Sequence, residues 1–254
     1  MNLKFLLLTT LIFSFYSQAN SEGNPKAFEL LKIEESQYEY KIKEFLEQGI
    51  NLNATNDEKA NVLTVAANDD KFNLVSILLD YRVDPNLVGC RNRPALVIAV
   101  GDKNTSMVEK LVSKGANIDD RSCMNNDFPI VKAIYNNDYF MVKYLIKEGA
   151  DLNQKDFDGM TVFMYLCSYS QGSDLIKLAI EENNVNFNYQ EEYSGETALM
   201  WAVEKGLIEN VKVLLSYKAN LYARNDEGRT VFEIAQKKKF KKIYRLLKLA
   251  QRQL

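Results

Sequence analysis

Three cysteines, Cys90, Cys123 and Cys167, and a complete lack of histidine bound the chemistry open to this chain. An imidazole metal centre, a Ser-His-Asp or Cys-His nucleophile and a histidine general base all need a side chain that the sequence does not contain. No Gly-rich phosphate loop of the expected spacing occurs either. Carboxylates are abundant, and Asp156, Asp158 and Asp226 fall near loop tips in a way that suggests calcium. Aspartate also favours such turns by bonding the backbone two residues on, which is the simpler reading. We therefore expect no catalytic residue, no bound metal, no cofactor and no enzyme.

The elements that carry these residues recur. An Ala, once Leu, stands at Ala66, Ala99, Ala133, Leu166, Ala202 and Ala235, a period of 33 to 36 residues. A hydrophobic pair follows each: Leu78-Leu79, Leu111-Val112, Leu145-Ile146, Leu178-Ala179, Leu214-Leu215 and Leu246-Leu247. Short polar tails such as Val83-Asp84-Pro85-Asn86 and Ala150-Asp151-Leu152-Asn153 close the units. A period in this range means a solenoid whose units bury their apolar faces only against neighbours. Within a unit the pattern is two short antiparallel helices and a loop. In the fifth, Thr197 caps a helix with Leu199, Ala202 and Val203 on one face. Gly206 breaks the chain there, and Ile208, Val211, Leu214 and Leu215 stripe the next helix.

This pattern resembles the ankyrin repeat, whose form is G-x-T-P-L-H-x-A-A-x-x-G followed by V-x-x-L-L-x-x-G-A-x-x-N. The match runs from about Lys26 to Leu249 and is strongest in the fifth unit. It implies an all-α repeat solenoid of stacked helix-turn-helix units with β-hairpin-like fingers. The departures are specific. Thr64, Val97, Val131, Met164, Met200 and Glu233 stand where the family has His, so its inter-repeat hydrogen bonds must be missing or replaced, with apolar packing substituting. The interhelix Gly survives only as Gly206; Asp70 and Asn137 tolerate the left-handed region, whereas Lys103 and Lys239 adopt it at a cost.

The register assigns the cysteines. Cys167 takes the second Ala position and reads as a small buried hydrophobe. Cys90 and Cys123 each lie four residues past an end-of-unit position, Asn86 and Asp119, and so occupy matched sites on adjacent fingers. Stacked units sit roughly 10 Å apart, beyond the ~7 Å limit for disulfide Cα atoms. Bending finger tips and an oxidising compartment work the other way. A Cys90–Cys123 bridge and two free thiols both stay open; a bridge would stiffen the fingers.

The resemblance also places contact positions in the fingers and at the ends of the first helices. In fingers these are Arg91, Arg93, Arg121, Met124, Phe157, Met160, Tyr193, Arg224 and Arg229; at helix ends, Tyr135 and Tyr169. Arg, Tyr and Met are enriched at protein interfaces. Trp201, the only tryptophan, reads as core packing.

Residues 1–19 read as a cleaved signal peptide: a positive start to Lys4, an apolar run from Phe5 to Tyr16 and small residues at Ser17 and Ala19. Residues 20–254 then form the repeat domain, with 20–53 a degenerate N-terminal cap unit, 54–222 the central repeats and 223–254 a C-terminal capping repeat. Residues 237 to 254 hold eight basic side chains and no acidic one, a polar cap or a contact for polyanions. With a formal net charge of −2 the chain as a whole has no pull toward nucleic acid. The expected protein is a secreted or periplasmic monomer that binds a protein partner through its concave face. The alternative is association of the basic cap with an anionic lipid or polyanion surface, the only membrane contact the sequence suggests.

Overall fold

In the computed structural model, residues 25–57, 59–87, 93–121 and 128–253 are described. They gather into two compact units that divide between Asn125 and Asn126. Each unit is built of helix pairs, and among the described residues the only β-structure is two isolated antiparallel bridges. Residues 1–19, expected from their sequence to be a signal peptide, and Cys90, Arg91, Cys123 and Met124 lie outside the described residues.

The first unit opens with a 3-10 segment, Pro25–Lys32, where the repeat pattern predicts an α-helix. Ala27 and Leu30 are three residues apart and therefore eclipse in 3-10 geometry, which sends both to the core. Helix α1 (Tyr38–Glu47) follows, then the pairs α2 (Val62–Asn68) with α3 (Phe72–Asp80) and α4 (Ala95–Gly101) with α5 (Thr105–Ser113). In the second unit the pairs are α6 (Pro129–Tyr135) with α7 (Tyr139–Lys147), α8 (Val162–Cys167) with α9 (Ser173–Glu182), α10 (Ala198–Glu204) with α11 (Ile208–Ser216), and α12 (Val231–Lys237) with α13 (Lys241–Gln251). First helices stack on first helices: α2 on α4 in one unit, and α6, α8, α10 and α12 in succession in the other. Second helices form the opposite layer in each.

The recurring Ala explains the turn within each pair. Its carbonyl accepts the N–H five residues on, from Lys71, Asn104, Asp138, Leu207 and Phe240, at 2.8–3.0 Å. This is the Schellman closure, and it needs the preceding residue in the left-handed region. Asp70, Lys103, Asn137, Gly206 and Lys239 hold φ between 55° and 71° there, as the sequence register requires. The first Leu of the hydrophobic pair repeats the device: Leu78, Leu111, Leu145 and Leu214 carbonyls accept from Val83, Ala116, Ala150 and Ala219 at 2.9–3.1 Å. Starts are capped equally locally. Asn61, Asn104, Asp138, Thr161 and Thr197 each accept the N–H three residues on, and Thr230 with Glu233 forms a capping box.

Successive repeats are tied by a ladder. The Oδ1 atoms of Asn53, Asn86, Asn153 and Asn188 accept the N–H of Asp84, Asn117, Asn186 and Asn220, one repeat on, at 2.8–2.9 Å. At the missing-His column the structure departs from a purely apolar substitution. Thr64 Oγ1 donates to the Leu87 carbonyl at 2.9 Å, an inter-repeat bond of its own. Val97, Val131, Met164 and Met200 are buried and do pack as apolar replacements.

Candidate functional site

The fourth repeat breaks the pattern at Leu166, and the site in the second unit begins there. No N–H five residues on reaches the Leu166 carbonyl; Tyr169 N bonds it instead, in a tighter turn. The chain passes so close to itself that a Cβ on Gly172 would lie 2.6 Å from the Leu166 carbonyl oxygen. This irregular turn swings Tyr169 inward, leaving it 5% exposed with its hydroxyl buried. The expectation that Tyr169 is a surface contact residue is thereby corrected. The displaced carbonyls of Cys167 and Tyr169 are satisfied by Asn210 Nδ2 from the next repeat, at 2.9 and 2.8 Å. Cys167 itself is fully buried, and burial pushes its thiol well above the ordinary range, which leaves it inert as a nucleophile.

Around that turn the surface is aromatic. Tyr135, at the end of α6, is 64% exposed and meets Tyr165 of α8 edge-on at 5.9 Å between centroids. The Tyr165 hydroxyl donates to Asp156 Oδ2 in the adjoining finger. Burial, then the bond to Asp156, pushes the Tyr165 phenol well up, so it stays a neutral donor. Asp156 Oδ1 accepts the N–H groups of Asp158 and Met160, both at 2.9 Å, which is turn chemistry. This finger is hairpin-like, bridging Lys155 to Thr161, and the next bridges Gln190 to Thr197. Phe157, beside Asp156, is 62% exposed at the tip. Tyr193 of the next finger is 70% exposed and lies against Gly159, where a Cβ would meet its ring at 3.4 Å.

Polar groups lock the two fingers together. Lys155 Nζ pairs with Glu192 at 2.7 Å and sits 4.4 Å over the Tyr189 ring. The hydrogen bond to Glu192 raises the lysine and lowers the carboxyl from their ordinary values. Glu191 is buried, which alone would raise its carboxyl. Bonds from the Ser194 hydroxyl and from the N–H groups of Tyr193 and Ser194 outweigh that and hold it below the usual range. Glu196 has the opposite balance: burial raises it, aided by the nearby charges of Glu204, Glu191 and Glu227.

The structure thus brings Tyr135, Phe157, Met160 and Tyr193 into one connected region and adds Tyr165, which the sequence reading passed over. Its signal was its place immediately before Leu166 of the recurring Ala column, the place that Trp201 holds one repeat later. Trp201 is half-buried, with Lys205 Nζ 5.9 Å over its ring, so only part of it serves the core. Arg224 is exposed but folds back on the Gly228 carbonyl at 2.6 Å, and half-buried Arg229 pairs with Glu227. Both are engaged within their own finger. In the first unit Arg121 is exposed and Arg93 half-buried. Among the described residues no three His, Cys, Asp or Glu side chains gather to hold a metal.

The family model for "Ankyrin repeats (3 copies)" matches in four overlapping stretches, residues 18–122, 96–174, 130–225 and 164–251. The chain belongs to the ankyrin repeat family. It is similar to an ankyrin repeat protein of Rickettsia bellii (strain RML369-C), 32% identical over 107 residues, covering 42% of this chain and 59% of the relative. It also resembles an ankyrin repeat protein of Acanthamoeba polyphaga mimivirus, 26% identical over 200 residues, 75% of this chain and 25% of the relative. A tyrosine-protein kinase from Hydra vulgaris is 30% identical over 143 residues, 55% of this chain and 19% of the kinase. The chain therefore spans a quarter to three fifths of the first two relatives and under a fifth of the kinase. Ankyrin repeats generally mediate protein–protein interaction, and the family is typically non-enzymatic.

Proposed function

We propose that this protein is an exported, non-catalytic ankyrin binding module. It holds a protein partner on the aromatic face formed by Tyr135, Tyr165, Phe157 and Tyr193. The carrying observation is that three large aromatic side chains stand more than three-fifths exposed in one connected region. Their scaffold is held by capped helices, Schellman turns and finger-to-finger bonds, so little ordering is needed on binding. Exposed tyrosine and phenylalanine on a rigid base supply contact area with few rotatable bonds, the usual make-up of a binding hot spot. The lack of histidine supports a role without catalysis of its own.

Pull-down from the exported fraction with wild type and a Tyr135→Ala/Phe157→Ala/Tyr193→Ala variant tests the surface. Loss of a specific partner by the variant is expected; equal recovery of every partner by both proteins would overturn the assignment. Export rests on the pattern of residues 1–19 and is tested by the mass of the mature protein. Cleavage after Ala19 supports it, and an exported or retained chain that still begins at Met1 overturns it. Among the described residues no helix is long and apolar enough to cross a membrane.

A further inference from the structure

The basic residues of the last described repeat are arranged in a line. Helix α13 turns Ile243 and Leu247 inward, where both are buried, with α11 and α12 as its packing neighbours. Lys241, Arg245, Lys248 and Arg252 recur at intervals of four, three and four residues. At about 100° per residue they fall in one stripe, roughly 16 Å long, on the side away from Ile243 and Leu247. All four are exposed. Lys242 and the 55% exposed Leu249 border the stripe on one side. On the other, Tyr244 and Lys239 share a cleft of about 340 Å³ with Lys241 and Arg245.

Few of these charges meet a carboxylate, although Lys248 Nζ lies 4.6 Å over the Phe232 ring and donates to Gln251 Oε1 at 3.0 Å. Of the eight basic residues from 237 onward, only Lys238 forms an ion pair among the described residues, with Glu204. All 34 acidic residues of the chain lie before residue 237, against 24 of its 32 basic ones. The near-neutral total thus conceals a molecule whose last helix is cationic and whose remainder is anionic, a distribution that orients it toward a negative surface.

We propose that this stripe docks the protein on a bilayer surface rich in acidic phospholipid. The cations are strung along a straight helix and do not converge, which suits a plane of headgroups and not one compact anion. Most of the eight are lysines, whose long stems let the ammonium group reach a headgroup while the helix stays packed on its repeat. Exposed Leu249 and the edge of Tyr244 supply a small apolar contact with the interface.

The test is co-sedimentation of the full chain with vesicles of phosphatidylcholine alone and of phosphatidylcholine with phosphatidylglycerol in roughly equal parts. The first arm reads any charge-independent partitioning. Binding is expected to be stronger in the second, and to fall steeply as salt rises from about 0.05 to about 0.5 M. Lys241→Gln/Arg245→Gln/Lys248→Gln/Arg252→Gln should weaken that binding roughly 100-fold or more. A matched variant, Lys43→Gln/Lys143→Gln/Lys147→Gln/Lys177→Gln, makes the same change in net charge elsewhere and should retain it within about three-fold. Circular dichroism of both variants reports that the repeats remain helical. Equal binding to the two vesicle types, or equal loss in the two variants, would overturn the proposal. So would binding to heparin or duplex DNA without binding to the acidic vesicles. The Tyr135→Ala/Phe157→Ala/Tyr193→Ala variant should bind vesicles as wild type does, because the two surfaces are different.

Discussion

Asn210 Nδ2 lies 2.9 Å from the carbonyl oxygen of Cys167, a bond between residues 43 apart that closes the irregular turn of the fourth repeat. Its second bond, at 2.8 Å, goes to the Tyr169 carbonyl, which also accepts the Gly172 N–H. Asn210→Ala should destabilise the protein by about 2 kcal/mol, because the buried Cys167 carbonyl loses its donor while that of Tyr169 keeps the Gly172 N–H. Asn210→Asp should cost more at neutral pH, where a carboxylate faces two carbonyls, and recover part of the loss in acid. Denaturant midpoints read both; a change below about 0.5 kcal/mol for Asn210→Ala would show that water serves the turn as well.

Glu191 and Glu196 should give stability opposite dependences on pH. Glu191 is held below its ordinary value of 4.5, so its contribution is complete above that pH and is lost as pH falls through the lower folded value. Glu191→Gln should therefore destabilise at neutral pH and flatten the acid limb. Glu196 is raised above 4.5, so its ionised form is a liability at neutral pH that disappears as pH drops toward 4.5. Glu196→Gln should raise the melting temperature at pH 7, with the gain vanishing in acid. Thermal melts at several pH values compare the two; parallel curves would contradict the assignment.

Lys103 and Lys239 occupy interhelix turns at φ of 55° and 61°. Replacing either by Gly should stabilise by about 0.5–1 kcal/mol, since the left-handed strain exceeds the added chain entropy. The same change at Asn137, whose side chain tolerates that region, should be near neutral. Gly172→Ala should cost about 1–3 kcal/mol, because the new Cβ meets backbone at 2.6 and 2.9 Å.

On the proposed binding face, Tyr165→Phe removes the donor to Asp156 and should cost about 1 kcal/mol of stability. Tyr135→Ala touches an exposed ring and should change stability by no more than about 0.5 kcal/mol. Its effect should appear in partner affinity instead. A comparable stability loss for Tyr135→Ala would mean that the ring supports the fold and does not wait for a partner.

Much of this architecture was legible because each repeat is stabilised by its own residues and its nearest neighbours. The recurring Ala marks a Schellman acceptor, the hydrophobic pair marks another, and Asp70, Lys103, Asn137 and Lys239 sit at the left-handed turns where the register puts them. Cys167 is buried for the same reason. Tyr169 departs from its register position because the turn after Leu166 no longer follows the repeat. Thr64 departs from the apolar pattern of its column because its hydroxyl finds the Leu87 carbonyl in the next finger.

The sequence by itself determined the helix pairs, their caps and turns, and the absence of histidine chemistry, since these depend on residue type within one period. Only the tertiary structure decided that Tyr169 turns inward, that Asn210 serves its carbonyl, and that Tyr135, Tyr165 and Asp156 meet. The first two depend on one irregular turn, and the third on how neighbouring helices stack. The path of such a turn is set by what packs against it, and no spacing along the chain records that.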